Sequence, residues 1–289
     1  MKIINLQQNT REWLEFRRDH IGSSDAVVIM GDHPSKTQLM LLEEKRHGTS
    51  EDPSPAMFHG KAKEKEALEF FNSLTDEKDY IPLVIEDERS PYLSASLDGY
   101  SATSNEIVEI KCPFWNTAEQ VDLNIYKSRY KWQIAHQLMV SKAKACHLFI
   151  YTSATEYKIF TYEASDVLFE PLRTQCAKFH EHMVNFTSPE PTEMDFEEKR
   201  SDAWSQAVNI YIYSKSVMEE AKENMEKARE SLIKMADGRS CRGSGVRLKR
   251  ATVKGTINYK DIPALRDLDL EQYRNPSSER WTITEEKNG

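Results

Sequence analysis

Apolar positions along the chain change their period repeatedly, and each change marks a new element. In REWLEFRRDH, Arg11 to His20, Trp13, Phe16 and Arg17 stand at helical spacing behind the cap-like pair Asn9-Thr10. IGSSDAVVIMG then reads as a turn opening a second helix, and SKTQLMLLEEKRHG, Ser35 to Gly48, as a third helix ending in basic residues and glycine. Polar, proline-containing TSEDPSP reads as a loop. A fourth helix is expected from Met57 to Leu74, with Leu68, Phe71 and Leu74 on its buried face. The period then falls to two. YIPLVIED, YLSASLDGY and EIVEIKC read as three strands broken by turn residues, with Asp98-Gly99 in a tight turn.

Helical spacing returns in IYKSRYKWQIAHQLMVS, Ile125 to Ser141, which predicts an amphipathic helix. CHLFIYTS and YKIFTYE predict a hairpin of two further strands, and Asp166 to Phe186 another helix. SPEPT at 188–192 is the clearest interdomain punctuation, so domains are expected at 1–192 and 193–289. In the second, Lys199 to Met235 predicts one long helix with a heptad-like stripe of Ile210, Tyr213, Val217, Ala221, Met225, Ala228 and Leu232. Such a stripe packs on its own domain or on a partner subunit. DGRSCRGSGVRLKRATVKGTINYKD follows, where Arg239, Arg242, Arg247, Lys249, Arg250 and Lys254 are nearly free of acidic neighbours. This basic hairpin is either a solvated surface or a nucleic-acid contact.

With 289 residues, 39% of them hydrophobic and 10% aromatic, the chain can bury a core of its own. No apolar run reaches membrane-spanning length and MKIINLQQNTREW lacks a signal-peptide core, so a cytosolic protein is expected. Cys112, Cys146, Cys176 and Cys241 are too far apart for a CxxC zinc site and are expected as reduced, mostly buried thiols. A net charge of −8 argues against a surface that binds DNA everywhere, while leaving room for a basic channel inside an acidic shell.

The chemistry is concentrated in LSASLDGYSATSNEIVEIKCP, Leu93 to Pro113. Residues i and i+2 of a strand share a face, so Glu109 and Lys111 point together while Val108 and Ile110 face the other way. A charged pair inside an apolar strand needs a partner or a metal. Carboxylates from two strands, Asp98 and Glu109, suit a hard cation such as Mg²⁺, which neutralises a scissile phosphate and lowers the pKa of an attacking water. Lys111 then polarises or deprotonates that water, or stabilises developing charge. The competing reading makes Glu109 and Lys111 the wet face of an edge strand and Asp98-Gly99 an ordinary turn.

The order WLEFRRDHIGSSDA, FHGKAKEKEALEFF, SASLDGY, EIVEIKCP and KWQIAHQLMVS resembles the lambda-exonuclease branch, the YqaJ-type viral recombinases, of the PD-(D/E)xK nucleases, over residues 10 to 185. The resemblance implies an α/β, restriction-endonuclease-like fold, a central mixed sheet flanked by helices, followed here by the long helix and basic hairpin. It implies that Asp98, Glu109 and the carbonyl of Ile110 bind Mg²⁺, for which Mn²⁺ substitutes, with Glu64 of the G-x-x-x-E pattern from Gly60 in support. Lys111 would act on the water, Gln133 would orient water or phosphate, and Arg17 with Ser24 would hold a DNA 5′-phosphate. Two departures stand out. The family's Q-x-Q is here Gln133 and Ala135, with Gln137 one turn on as a substitute, and its SPDG is SLDG, expected to alter only the turn.

The remaining candidates read mainly as structure. His59 lines the site or packs as a capping residue, and His136 likewise; Trp132 and Tyr130 stack on a base or belong to the core. The cysteines do not carry the spacing of an iron-sulfur cluster. The activity implied is Mg²⁺-dependent 5′-to-3′ resection of linear double-stranded DNA for a single-strand annealing partner, by a homo-oligomer that in this family can be a ring, in the cytoplasm or that of a phage's host. The alternatives are an endonuclease or single-strand nuclease on the same core, or a noncatalytic DNA-end-binding scaffold.

Overall fold

Six strands form one sheet in which order across the sheet equals order along the chain: β1 (Lys2–Ile4), β2 (Ile81–Glu86), β3 (Ser94–Ser101), β4 (Glu106–Lys111), β5 (Ala145–Ser153) and β6 (Glu156–Glu163). The computed structural model describes residues 1–48, 54–75, 79–114, 120–256, 262–263 and 268. All neighbours pair antiparallel except β4 and β5, which are parallel. A parallel pair needs a crossover, and α5 (Leu123–Ser141) supplies it. The sheet is mixed, as expected, with helices against both faces.

Alternation along β4 assigns the two cores. Ile107 joins α5, α2 (Ala26–Ile29), α3 (Gln38–His47) and α6 (Asp166–Val184) in one cluster; Val108 and Ile110 join Ala67 and Phe71 of α4 (Pro55–Leu74) and Phe149 of β5 in the other. Each fully buried large side chain, Phe71 and Phe149 among them, contributes about 1.5–3 kcal/mol relative to exposure. Helix α1 (Arg11–Asp19) is capped by the Thr10 hydroxyl, which accepts from Trp13 N. Helix α3 starts three residues later than the spacing suggests because Thr37 caps it by accepting from Met40 N.

The expected turn at Asp98-Gly99 is instead a bulge within a continuous strand. Leu83 of β2 faces Leu97 and Ile81 faces Tyr100, so Asp98 and Gly99 together stand opposite Pro82. Proline has no N–H for the ladder, and sheets accommodate it at bulges. The bulge resets the alternation: Leu97 packs in the α5 core, whereas Gly99 faces Val108 and Leu68.

Two other expectations change. Leu74 is 42% exposed and Ala67 takes its place beside Phe71 on the buried face of α4. Helix α5 is not amphipathic in its second half, since Ile134 through Ser141 are buried all round, as a crossover helix covered by α2 and α6 must be. Most of the expected loop TSEDPSP, residues 49–53, and the end of the basic segment lie outside the described residues.

The chain divides into two compact units, Met1–Glu197 and Glu198–Gly289. The second contains α7 (Asp202–Met235), capped by Ser201, and the hairpin of β7 (Cys241–Gly243) and β8 (Val246–Leu248). No residue of α7 is buried, so its apolar stripe is uncovered. The four cysteines are free thiols, and no helix among the described residues is long and apolar enough to cross a membrane.

Candidate active site

The bulge decides where Asp98 points. Ladder pairing between β3 and β4 ends at Gly99 and Val108, and beyond it the Asp98 carboxylate accepts the backbone N–H of Ile110 at 2.8 Å. A side chain thus replaces the next rung of the ladder. N–H and C=O of one strand residue point to the same side, so the Ile110 carbonyl is directed toward the same gap between the strands.

Glu109 is buried and fully engaged. Its Oε1 takes the Lys111 ammonium and the Gln133 amide at 2.6 Å, and its Oε2 takes the Gln137 amide at 2.5 Å. Gln133 and Gln137 are one helical turn apart on α5, so both reach one carboxylate. The wet-edge reading of Glu109 and Lys111 therefore fails, because β4 is an inner strand and Glu109 is in the interior. Lys111 also lies over the Tyr130 ring at 4.7 Å. Tyr130 is thus a partly buried wall of the site, and Trp132 is core, its indole N–H donating to Asp32.

Electrostatics ties these groups together. Burial, with Glu109 and Glu64 nearby, raises the Asp98 pKa well above the usual carboxylate range. Burial and Glu109 raise Glu64 in the same sense. Burial opposes the charge on Lys111, but Glu109 and Asp98 outweigh it and raise its pKa, so it is an ammonium. Glu64 is brought to the site by α4, which is anchored on β5 by Lys63 Nζ donating to the Thr152 carbonyl (2.7 Å) and Tyr151 donating to Glu66 (2.7 Å).

Among the described residues, no three His, Cys, Asp or Glu side chains are gathered closely enough to hold a metal. The donor chemistry of Asp98, Glu109 and the Ile110 carbonyl nevertheless fits a hard divalent cation, and Asp98 and Glu64, raised first by burial and then by neighbouring carboxylates, are groups whose charge a cation offsets. His59 is not among these groups; it packs edge-on against Phe114 at 5.2 Å. His136 is fully buried on α5, and burial lowers its pKa to about 4.

Arg17 and Ser24 come together as expected. The Arg17 guanidinium donates to Ser24 Oγ at 2.8 Å and stacks over the Trp13 ring at 4.8 Å. The Trp13 indole donates to Ser96 Oγ at 2.8 Å, two residues before Asp98, and Ser94 N donates to the Ile21 carbonyl at 2.9 Å. Strand β3 therefore carries both the Arg17–Ser24 pair and Asp98. One supporting residue has no signature in the pattern. Buried Lys45 donates to Asp25 Oδ2 (2.6 Å) and to the carbonyls of Arg17 and His20 (2.8 Å each), while Asp25 also accepts from Gly22 N (2.8 Å). In the sequence Lys45 is one of several basic residues closing α3, and nothing there separates it from the solvated ones.

Residues 12–144 match the model of the YqaJ-like viral recombinase domain. This stretch is similar to that family's domain. The matched residues include Arg17, Ser24, Glu64, Asp98, Glu109, Ile110, Lys111 and Gln133. Two solved structures share its fold: an alkaline exonuclease from Laribacter hongkongensis (LHK-Exo), TM-score 0.52, and LHK-Exo in complex with dAMP, TM-score 0.53. Each is 22% identical, covering 61% of this chain and 94% of its own. No curated protein matches the chain.

Proposed function

We propose that the protein is a Mg²⁺-dependent exonuclease that resects linear double-stranded DNA from 5′ ends, leaving 3′ single strands for an annealing-type recombination partner. The observation that supports it best is the convergence on one bulged strand pair of Asp98, the Ile110 backbone, Glu109, Lys111 and Gln133. A divalent cation held by Asp98, Glu109 and the Ile110 carbonyl, Mg²⁺ or Mn²⁺, supplies charge neutralisation at the scissile phosphate and a water of lowered pKa. Glu64 adds negative charge that favours the cation. Lys111, an ammonium, stabilises the charge that develops on phosphate oxygen, and Gln133 orients the phosphate or water.

Direction comes from the other end of β3. The Arg17 fork beside the Ser24 hydroxyl suits a terminal 5′-phosphate, which offers oxygens that an internal phosphodiester lacks. An acidic chain that works on DNA is accommodated in a homo-oligomer, a ring included, whose inner surface alone is basic. The setting is the cytoplasm, that of the host if the chain is phage-encoded. Sedimentation showing only monomer at working concentration removes the ring.

The deciding experiment follows 5′-phosphorylated linear duplex, its 5′-hydroxyl form and a closed circle over time with Mg²⁺, for wild type and Glu109→Ala. Rapid, mutation-sensitive loss of the phosphorylated linear form alone is expected. Cutting of the circle replaces resection by endonuclease action, and binding with no cutting under any divalent metal leaves a scaffold.

A further inference from the structure

The second unit carries cations that no acidic side chain neutralises among the described residues. Gly238 to Thr256 holds Arg239, Arg242, Arg247, Lys249, Arg250 and Lys254 and no acidic residue, within a chain of net charge −8. The turn of the hairpin, Ser244-Gly245, has positive φ at both residues (47° and 80°), the twist that two-residue hairpins prefer. That turn sets the register, and the register places Arg242 directly opposite Arg247. Like charges in that position are destabilising. Lys249 follows directly on the end of β8 and adds a third cation beside this pair.

The neighbouring groups do not offset this. Arg250 is engaged in holding the hairpin's base, donating from Nη1 to the Gly238 carbonyl at 2.8 Å, while its backbone N–H reaches Ser240 Oγ. Charges on α7 pair along the helix, Lys227 with Glu223 and Arg229 with Glu226. Arg242, Arg247 and Lys249 are exposed, and none of them pairs with an acidic side chain among the described residues. The opposite face offers Cys241, Gly243, Val246 and Leu248, with no aromatic side chain to anchor a protein partner. Paired guanidiniums grip phosphate oxygens bidentately, and a two-stranded ribbon is narrow enough for the DNA major groove.

We infer that the Arg242–Arg247–Lys249 cluster of the β7–β8 hairpin is a second DNA-binding site, gripping duplex phosphates without reading sequence, separate from the residues proposed for cleavage. The inference rests on the reading of the protein as a DNA nuclease. An arm of this kind holds the duplex while the cleavage site works at its end.

The test uses full-length protein in EDTA, so that nothing is cut, with fluorescein-labelled duplex over a salt series. Each lost phosphate contact lowers the slope of log K against log salt by about 0.9, so Arg242→Ala/Arg247→Ala/Lys249→Ala together should lower it by about 2–3 and weaken binding about tenfold or more at low salt. Lys227→Ala/Arg229→Ala on α7 should leave the slope unchanged. Because all three side chains are exposed, the triple variant should keep the wild-type circular dichroism. A triple variant with the wild-type slope overturns the inference and leaves the nuclease reading standing, whereas wild type that binds no duplex at any salt overturns both. Poly-glutamate competing as well as duplex DNA would reassign the hairpin to an acidic protein partner.

Discussion

Gln137 donates its amide to Glu109 Oε2 at 2.5 Å, one turn beyond Gln133, which donates to Oε1 at 2.6 Å. The two glutamines therefore hold both oxygens of one carboxylate, Gln137 from the position one turn after Gln133. Partners of this kind orient a ligand and typically carry 10–100-fold in metal affinity or activity. Gln133→Leu and Gln137→Leu should each lose about that much and raise the Mg²⁺ midpoint for activity. A Gln137→Leu protein with wild-type rate and midpoint would reduce Gln137 to packing.

Gly99 is required by space. A Cβ there meets Val108 Cγ1 at 2.7 Å and Leu68 Cδ1 at 3.0 Å, and its φ lies outside the left-handed region. Gly99→Ala must push β3 from β4 beside Asp98, at about 1–3 kcal/mol as for other overpacked sites. Chemical denaturation should show that loss. Equal stability of the variant would mean that the strands part without cost.

Lys45 and Asp25 form a buried ion pair in which the ammonium also serves two carbonyls. Arg17 lies at 4.0 Å from the other Asp25 oxygen. Together these lower the Asp25 pKa despite its burial. Lys45→Met removes the nearer cation from an interior carboxylate and leaves only the more distant Arg17, and a loss of up to about 3–5 kcal/mol is expected. Calorimetry of the variant should show a marked fall in melting temperature; no fall would mean that water reaches Asp25.

His136 gives a pH dependence of defined sign. Its imidazole titrates near 6.5 when unfolded and is lowered to about 4 in the folded chain, chiefly by burial. The unfolded chain binds the extra proton between those values, so stability is full above about pH 6.5 and falls as pH drops toward 4, by about 3 kcal/mol in all. His136→Leu should remove this part of the slope. A wild-type-minus-variant difference that is flat from pH 7 to 4.5 would refute it.

Much of this protein is legible in the sequence because its signals are local. Period-two runs announced β2 to β6, the cap at Thr10 set a helix start, and alternation alone put Glu109 and Lys111 on one face and Val108 and Ile110 on the other. Basic residues with few acidic neighbours announced the basic hairpin as well, while its register came from the structure.

Tertiary structure decided the rest. Asp98-Gly99 reads as a turn until Pro82, sixteen residues earlier, is seen opposite it, where a missing N–H makes a bulge and aims the carboxylate at Ile110. Lys45 is one basic residue among several until α1 and Asp25 close around it. Gln137 became a partner of Glu109 only because α5, the crossover between parallel β4 and β5, packs on the sheet face to which Glu109 points. Periodicity is a property of neighbours in the chain, whereas a carboxylate's partners come from segments that the chain brings together only on folding.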